Sequence, residues 1–125
     1  MNYFENEFAL PIILGNSKSA LRAAKTLQKR TDLEIHIVGR GLSLLGRLRF
    51  YFHKLSSSSD EIVLLTIEDI VKGLDEYYLP ILIYCEDDYG SFFAKNKERL
   101  ESLFVTVNAK DIDNYFPRKI ENEDK

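Results

Sequence analysis

Hydrophobic positions along this chain come in short continuous blocks separated by helix-patterned stretches. Residues 9–14 (Ala-Leu-Pro-Ile-Ile-Leu) are apolar without alternation and are closed by Gly15, which predicts a strand buried on both faces. Pro11 then belongs among the strand's first residues, where a missing N–H is tolerated. Asn16, Ser17 or Ser19 can cap a following helix, whose apolar face is Ala20, Leu21, Ala24 and Leu27 at helical spacing. Lys29 and Arg30 suit the negative end of that helix dipole. Residues 33–38 read as a second strand, stopped by Gly39-Arg40-Gly41. Strand, helix and strand with short connections make a right-handed βαβ unit, so the first two strands should be parallel neighbours.

Between residues 42 and 55 neither period wins. Dense apolar residues are interrupted by Gly46, leaving loop, short helix and strand all open, with a short extended piece expected at 50–52. The serines at 56–59 form a low-complexity turn. Residues 62–65 (Ile-Val-Leu-Leu) read as a third strand or its remnant. Thr66 to Asp69 has the form of a capping box, with Asp in place of Glu, for a helix running to about Tyr77. Residues 79–85 form another strand apolar on both faces. A helix starting at Tyr89 or Ser91 should end near Leu103, followed by a short strand at 104–107 and a turn of helix at 111–115. Strands alternating with helices predict an α/β fold: a Rossmann-like, doubly wound, mostly parallel sheet of four to five strands with helices on both faces. The expected organisation is an N-terminal extension at 1–8, one domain at 9–116 and a polar tail at 117–125.

A length of 125 residues fits one such domain and leaves little room for a second core. The single cysteine, Cys85, excludes an internal disulfide. The acidic N-terminus lacks the pattern of a signal peptide, and no uncharged run approaches the roughly 20 residues needed to span a bilayer. Together these predict a cytoplasmic chain without a transmembrane segment. The net charge of -3 conceals an asymmetry: residues 1–54 carry nine basic against four acidic side chains, and the remainder is strongly acidic. An anionic partner near the N-terminal half and two merely solvated faces both account for that polarity.

Residues 10–16 (Leu-Pro-Ile-Ile-Leu-Gly-Asn), the helix containing Ala20-Leu21-Arg22-Ala23-Ala24 and the strand ending Val38-Gly39-Arg40 resemble the N-terminal pre-ATP-grasp domain of carbamoyl-phosphate-synthase-like ATP-grasp ligases. Residues 83–89, followed by 94–101, resemble the same domain's later strand and helix. Order and character of the segments carry this resemblance rather than any single motif. It implies a Rossmann-like fold and a domain that shapes the substrate side of a ligase site. In such ligases the lysines and acidic groups that hold ATP and magnesium belong to later domains. The resemblance therefore implies no cofactor and no catalytic residue in residues 1–125, with ATP and magnesium entering only through a separate ATP-grasp part. The acidic position it expects in the later loop falls on Asp87.

Candidate chemistry collects at strand ends. The turn Gly15-Asn16-Ser17 precedes a helix N-terminus, where backbone donors and the dipole favour an anion. It keeps only the first glycine of a G-x-G-x-x-G pattern, and Gly39-Arg40 stands where a ribose-binding acid would be, so a nicotinamide dinucleotide is disfavoured. Glu86-Asp87-Asp88 at the end of a strand could bind magnesium or simply favour a helix start; the latter is the simpler reading. Arg40, Arg47, Arg49, His53 and Lys54, interleaved with apolar residues, fit either a nucleic-acid contact or a partly buried connection. Two histidines and one cysteine show no metal-ligand spacing. The expected function is a non-catalytic ligand-binding or interaction module, a homodimer or the companion of an ATP-grasp-containing partner. Its ligand would be a small anion or carboxylate held by Gly15, Asn16, Ser17, Arg40, Asp87 and Asp88. One alternative is the substrate-side part of an ATP-grasp carboxylate–amine ligase completed by another polypeptide; a further one is nucleic-acid binding through residues 40–54.

Overall fold

A computed structural model describes residues 3–42, 46 and 49–115. Five parallel strands, β1 (Ala9–Leu14), β2 (His36–Gly39), β3 (Tyr51–Lys54), β4 (Leu79–Tyr84) and β5 (Val105–Asn108), form one sheet in the order β3-β2-β1-β4-β5. The helices are α1 (Lys18–Arg30), α2 (Asp60–Lys72), α3 (Glu86–Lys95) and α4 (Lys97–Leu103), with 3-10 turns at Tyr3–Glu5 and Ala109–Tyr115. The Rossmann-like, doubly wound fold expected from the alternating pattern is what forms.

β1 is central and all six of its residues are buried. Its alternate side chains enter two separate cores, as a strand's period of two requires. Ile13 faces α1 through Ala20, Ala24 and Leu27, together with Ile37, Ile81 and Ile83 from the neighbouring strands. Leu10, Ile12 and Leu14 face Val63 and Ile67 of α2 and Phe92, Phe93 and Leu100 of α3 and α4. The chain steps from β1 to β2 through α1, then later crosses from β3 to β4 through α2 on the opposite face. The direction of winding reverses between β1 and β4. Pro11 lies third in β1, yet breaks no ladder bond. Gly15 N–H bonds Val38 O at 2.8 Å, so by alternation the odd residues of β1 aim their nitrogens at β2. The β1–β2 pairing begins only at Ile12 and His36.

Several boundaries differ from the sequence reading. Residues 62–65 are not a strand but lie inside α2, because Ser59 Oγ caps this helix at Ile62 N, Asp60 and Glu61 occupy its first turn, and Val63, Leu64 and Ile67 make a helical apolar face. Thr66 is mid-helix and donates its hydroxyl to Ile62 O at 2.8 Å instead of opening a capping box. The helix ends at Lys72, short of Tyr77. The third strand is β3, where only a short extended piece was expected. α3 starts at Glu86 rather than Tyr89 or Ser91; its three acidic first-turn residues favour the positive end of the dipole. Tyr89 instead marks a kink, and Asn96 separates α3 from α4, its amide donating to Phe92 O at 2.9 Å. β2 begins at His36, three residues later than expected, and β5 is shifted one residue onward. Phe4, within the expected N-terminal extension, is buried and meets the ring of Tyr115 edge-on at 5.4 Å. The polar tail at 117–125 lies outside the described residues, as do Leu44, Leu45, Arg47 and Leu48 of the basic stretch.

Candidate functional site

In an open parallel sheet, ligands bind beyond the carboxyl ends of the strands where the winding reverses. Here that point lies between β1 and β4, so the residues following them, Gly15-Asn16-Ser17 and Cys85-Glu86-Asp87-Asp88, face one another. Gly15 has φ +121°, a conformation open essentially to glycine. A Cβ there would stand 2.9 Å from Asp88 Oδ2 and 3.5 Å from the Tyr89 ring. Gly39, ending β2, is likewise closely approached: its absent Cβ would lie 3.0 Å from Asn16 Oδ1. The turn after β1 is thus held between the ends of β2 and β4.

Ser17 caps α1, its Oγ accepting from Ala20 N at 3.2 Å. The three carboxylates after β4 diverge. Glu86 meets Lys110 Nζ at 3.4 Å, Asp87 accepts a hydrogen bond from Ser19 Oγ at 3.3 Å, and Asp88 covers Gly15. Among the described residues no group of three or more histidine, cysteine or acidic side chains is placed to hold a metal ion together. Arg40 lies near Tyr89. Burial pushes the Tyr89 phenol up, Asp88 adds to this, and Arg40 opposes it.

Two clefts open here, with Asp87 on the wall of both. One, of about 450 Å³, lies between α1 and the segment following β5, with Ser19, Arg22, Thr26, Asn108 and Lys110 among its lining. The other, of about 520 Å³, is lined by Asn16, Ser17, Asp60, Asp88 and Tyr89. Of the six residues expected at the site from sequence, Asn16, Ser17, Asp87 and Asp88 line these clefts, whereas Gly15 and Arg40 follow β1 and β2 at the same end of the sheet and line neither. Arg22, Asp60, Asn108 and Lys110 were missed, because they lie on elements whose packing no local pattern reveals. Of the basic stretch, Arg40 lies near Tyr89 at the switch point, and His53 and Lys54 lie on β3, where Lys54 pairs with Gly39.

Cys85 follows β4 within this site and is buried. Burial foremost, then Asp87, with Asp88 adding, pushes its thiol from 9.0 up to about 11, against a hydrogen bond with Ser17 that pulls it down. Because the thiolate is the nucleophile, alkylation by iodoacetamide near neutral pH should run at least about 100-fold slower than for an unperturbed thiol. A rate within roughly threefold of free cysteine would show that the thiol is neither buried nor faced by these carboxylates.

Among the described residues no helix is long and apolar enough to cross a membrane. Compared with protein-family models, with curated proteins and with solved structures, the chain matches none.

Proposed function

We propose that this chain is a pre-ATP-grasp-like domain acting as a non-catalytic ligand-binding module, with the ligand seated at the carboxyl ends of β1 and β4. The observation that carries this reading is the pair of clefts meeting at Asp87, beside a Gly15 turn whose geometry admits no side chain. The two blocks of family resemblance support it, since they fall on β1, α1 and β2 and on β4, α3 and α4, and α1, α3 and the turns that lead into them line the clefts. Electrostatics narrows the ligand. A small anion at the Gly15 turn would meet Asp88 directly, and Ser17 already occupies the cap of α1. A ligand that brings an amine or neutral hydrogen-bond donors to Asp87 suits the site better than a bare carboxylate or phosphate.

Thermal unfolding in the presence of amino acids, dicarboxylates and nucleotides, with amide NMR on any responder, tests the proposal. At least one amine-bearing compound should raise Tm and shift the resonances of Gly15, Asn16 and Asp87. At a concentration of about 100 Kd the stabilisation should approach 2.7 kcal/mol. Asp87→Ala should abolish the response. The proposal fails if no compound shifts Tm, or if the shifted resonances lie away from this end of the sheet.

A further inference from the structure

We infer that Glu34, His36 and His53 form a one-proton latch that fastens the terminal strand β3 to β2 and opens as the pH falls. The three side chains make a continuous hydrogen-bonded chain. Glu34 Oε1 lies 3.1 Å from His36 Nε2, and His36 Nδ1 lies 2.8 Å from His53 Nε2. The pairing His36 with Tyr51 and Val38 with His53 sets the two histidines diagonally on one face of the β2–β3 ladder. Their ring planes differ by only 17° and their centroids are 5.1 Å apart, so the short N···N contact runs edge to edge, as an N–H···N bond requires.

Proton counting gives the arrangement its consequence. A carboxylate only accepts, so His36 Nε2 carries a hydrogen toward Glu34. The contact between His36 Nδ1 and His53 Nε2 then holds one hydrogen, supplied by either ring. With both rings protonated, two N–H groups would point at each other across 2.8 Å, and the contact must break. The surroundings offer the second charge little compensation. Beside the pair stand Ile12 of β1, Val38 of β2 and Tyr51 of β3, whose ring stacks on His36 at 5.0 Å. α2, which covers this face, turns Val63 and Ile67 inward. The charged group contacting the chain among the described residues is Glu34, and it is already engaged at the far nitrogen of His36. The His36 side chain is 11% exposed and His53 is partly buried, so water screens the second charge only in part. Consistently, burial and then His36 hold the His53 imidazole below its ordinary 6.5.

The sign follows. A histidine whose folded value is depressed contributes stability that is fully present above about 6.5 and is lost as the pH falls through the folded value. The loss is felt first where the side chain sits, on a four-residue strand at the end of the sheet.

Hydrogen exchange of the full chain between pH 7.5 and 4.5, corrected for intrinsic rates, tests the latch. The amides of Tyr51 and Leu55, which bond Ile35 O and Gly39 O, report on β3. Their protection should fall by up to about tenfold per pH unit below 6.5, while that of β1 and β4 stays level. His53→Gln, which keeps a hydrogen-bonding group without titrating, should remove the step. Ring ¹⁵N shifts of the wild-type protein give a second readout that needs no variant: the fall in β3 protection should begin near 6.5 and level off where the folded histidine pair takes up its second proton. An unchanged step in His53→Gln, or both rings charged with β3 protection intact, would overturn the inference.

Discussion

Replacing Gly15 with valine is expected to destabilise the fold by several kcal/mol and to close the candidate site. A φ of +121° is strained for any residue with a Cβ, which alone costs about 1–3 kcal/mol. The added Cβ would also stand 2.9 Å from Asp88 Oδ2, inside any real contact distance, and 3.5 Å from the Tyr89 ring. The backbone cannot rotate away freely, because Gly15 N–H bonds Val38 O at 2.8 Å and secures the end of β1 to β2. Valine, branched at Cβ, suffers both penalties more than alanine. Denaturant midpoints for Gly15→Val, Gly15→Ala and Gly41→Ala measure this. Gly41 supplies the control, since a Cβ there meets nothing within 4 Å. Adding Asp88→Ala to Gly15→Ala should recover the steric share and leave the conformational share, which a double-mutant cycle separates. A Gly15→Ala protein within about 0.5 kcal/mol of the parent would contradict the left-handed turn on which the site is built.

That turn shows how far the sequence reaches. An apolar run closed by glycine and followed by Ser17 was enough to place β1, the turn and α1, because each is decided by neighbours in the chain. β4 was legible for the same reason. The site residues Gly15, Arg40, Asp87 and Asp88 could be anticipated because a parallel sheet brings strand ends together wherever they lie in the sequence. Residues 62–65 misled because Ile-Val-Leu-Leu suits a strand as well as a helix; the decision came from Ser59 at the cap and from burial against Leu10 and Ile12. β3 was legible only as a short extended piece at 50–52, for the opposite reason. Tyr51, Phe52, His53 and Lys54 carry no buried run, and their extended form depends on pairing with β2. The His36–His53 contact belongs to that pairing, so the spacing of two histidines in sequence could not disclose it. Arg22 and Lys110 reach the cleft through α1 and the segment after β5, contacts set by tertiary packing alone.

Truncating Ile12 or Ile13 to alanine should each cost about 2–5 kcal/mol, a large share of the 5–15 kcal/mol that holds a typical domain together. Both side chains are fully buried, yet they enter different cores. Ile13 packs under α1 with Ile37 and Ile83, whereas Ile12 packs under α2 with Val38 and Leu82. Adjacent in sequence, they are separated by the sheet itself. The gentler pair Ile12→Val and Ile13→Val exposes this independence while leaving enough stability to measure. Each should cost about 0.5–1.5 kcal/mol, and their coupling in a double-mutant cycle should stay below roughly 0.5 kcal/mol because they share no partner. Two residues in one core would relax into a common cavity and couple more strongly. A coupling above about 1 kcal/mol would therefore mean that β1 does not divide the interior into two layers. The switch point between β1 and β4, and the clefts that depend on it, would then lose their structural basis.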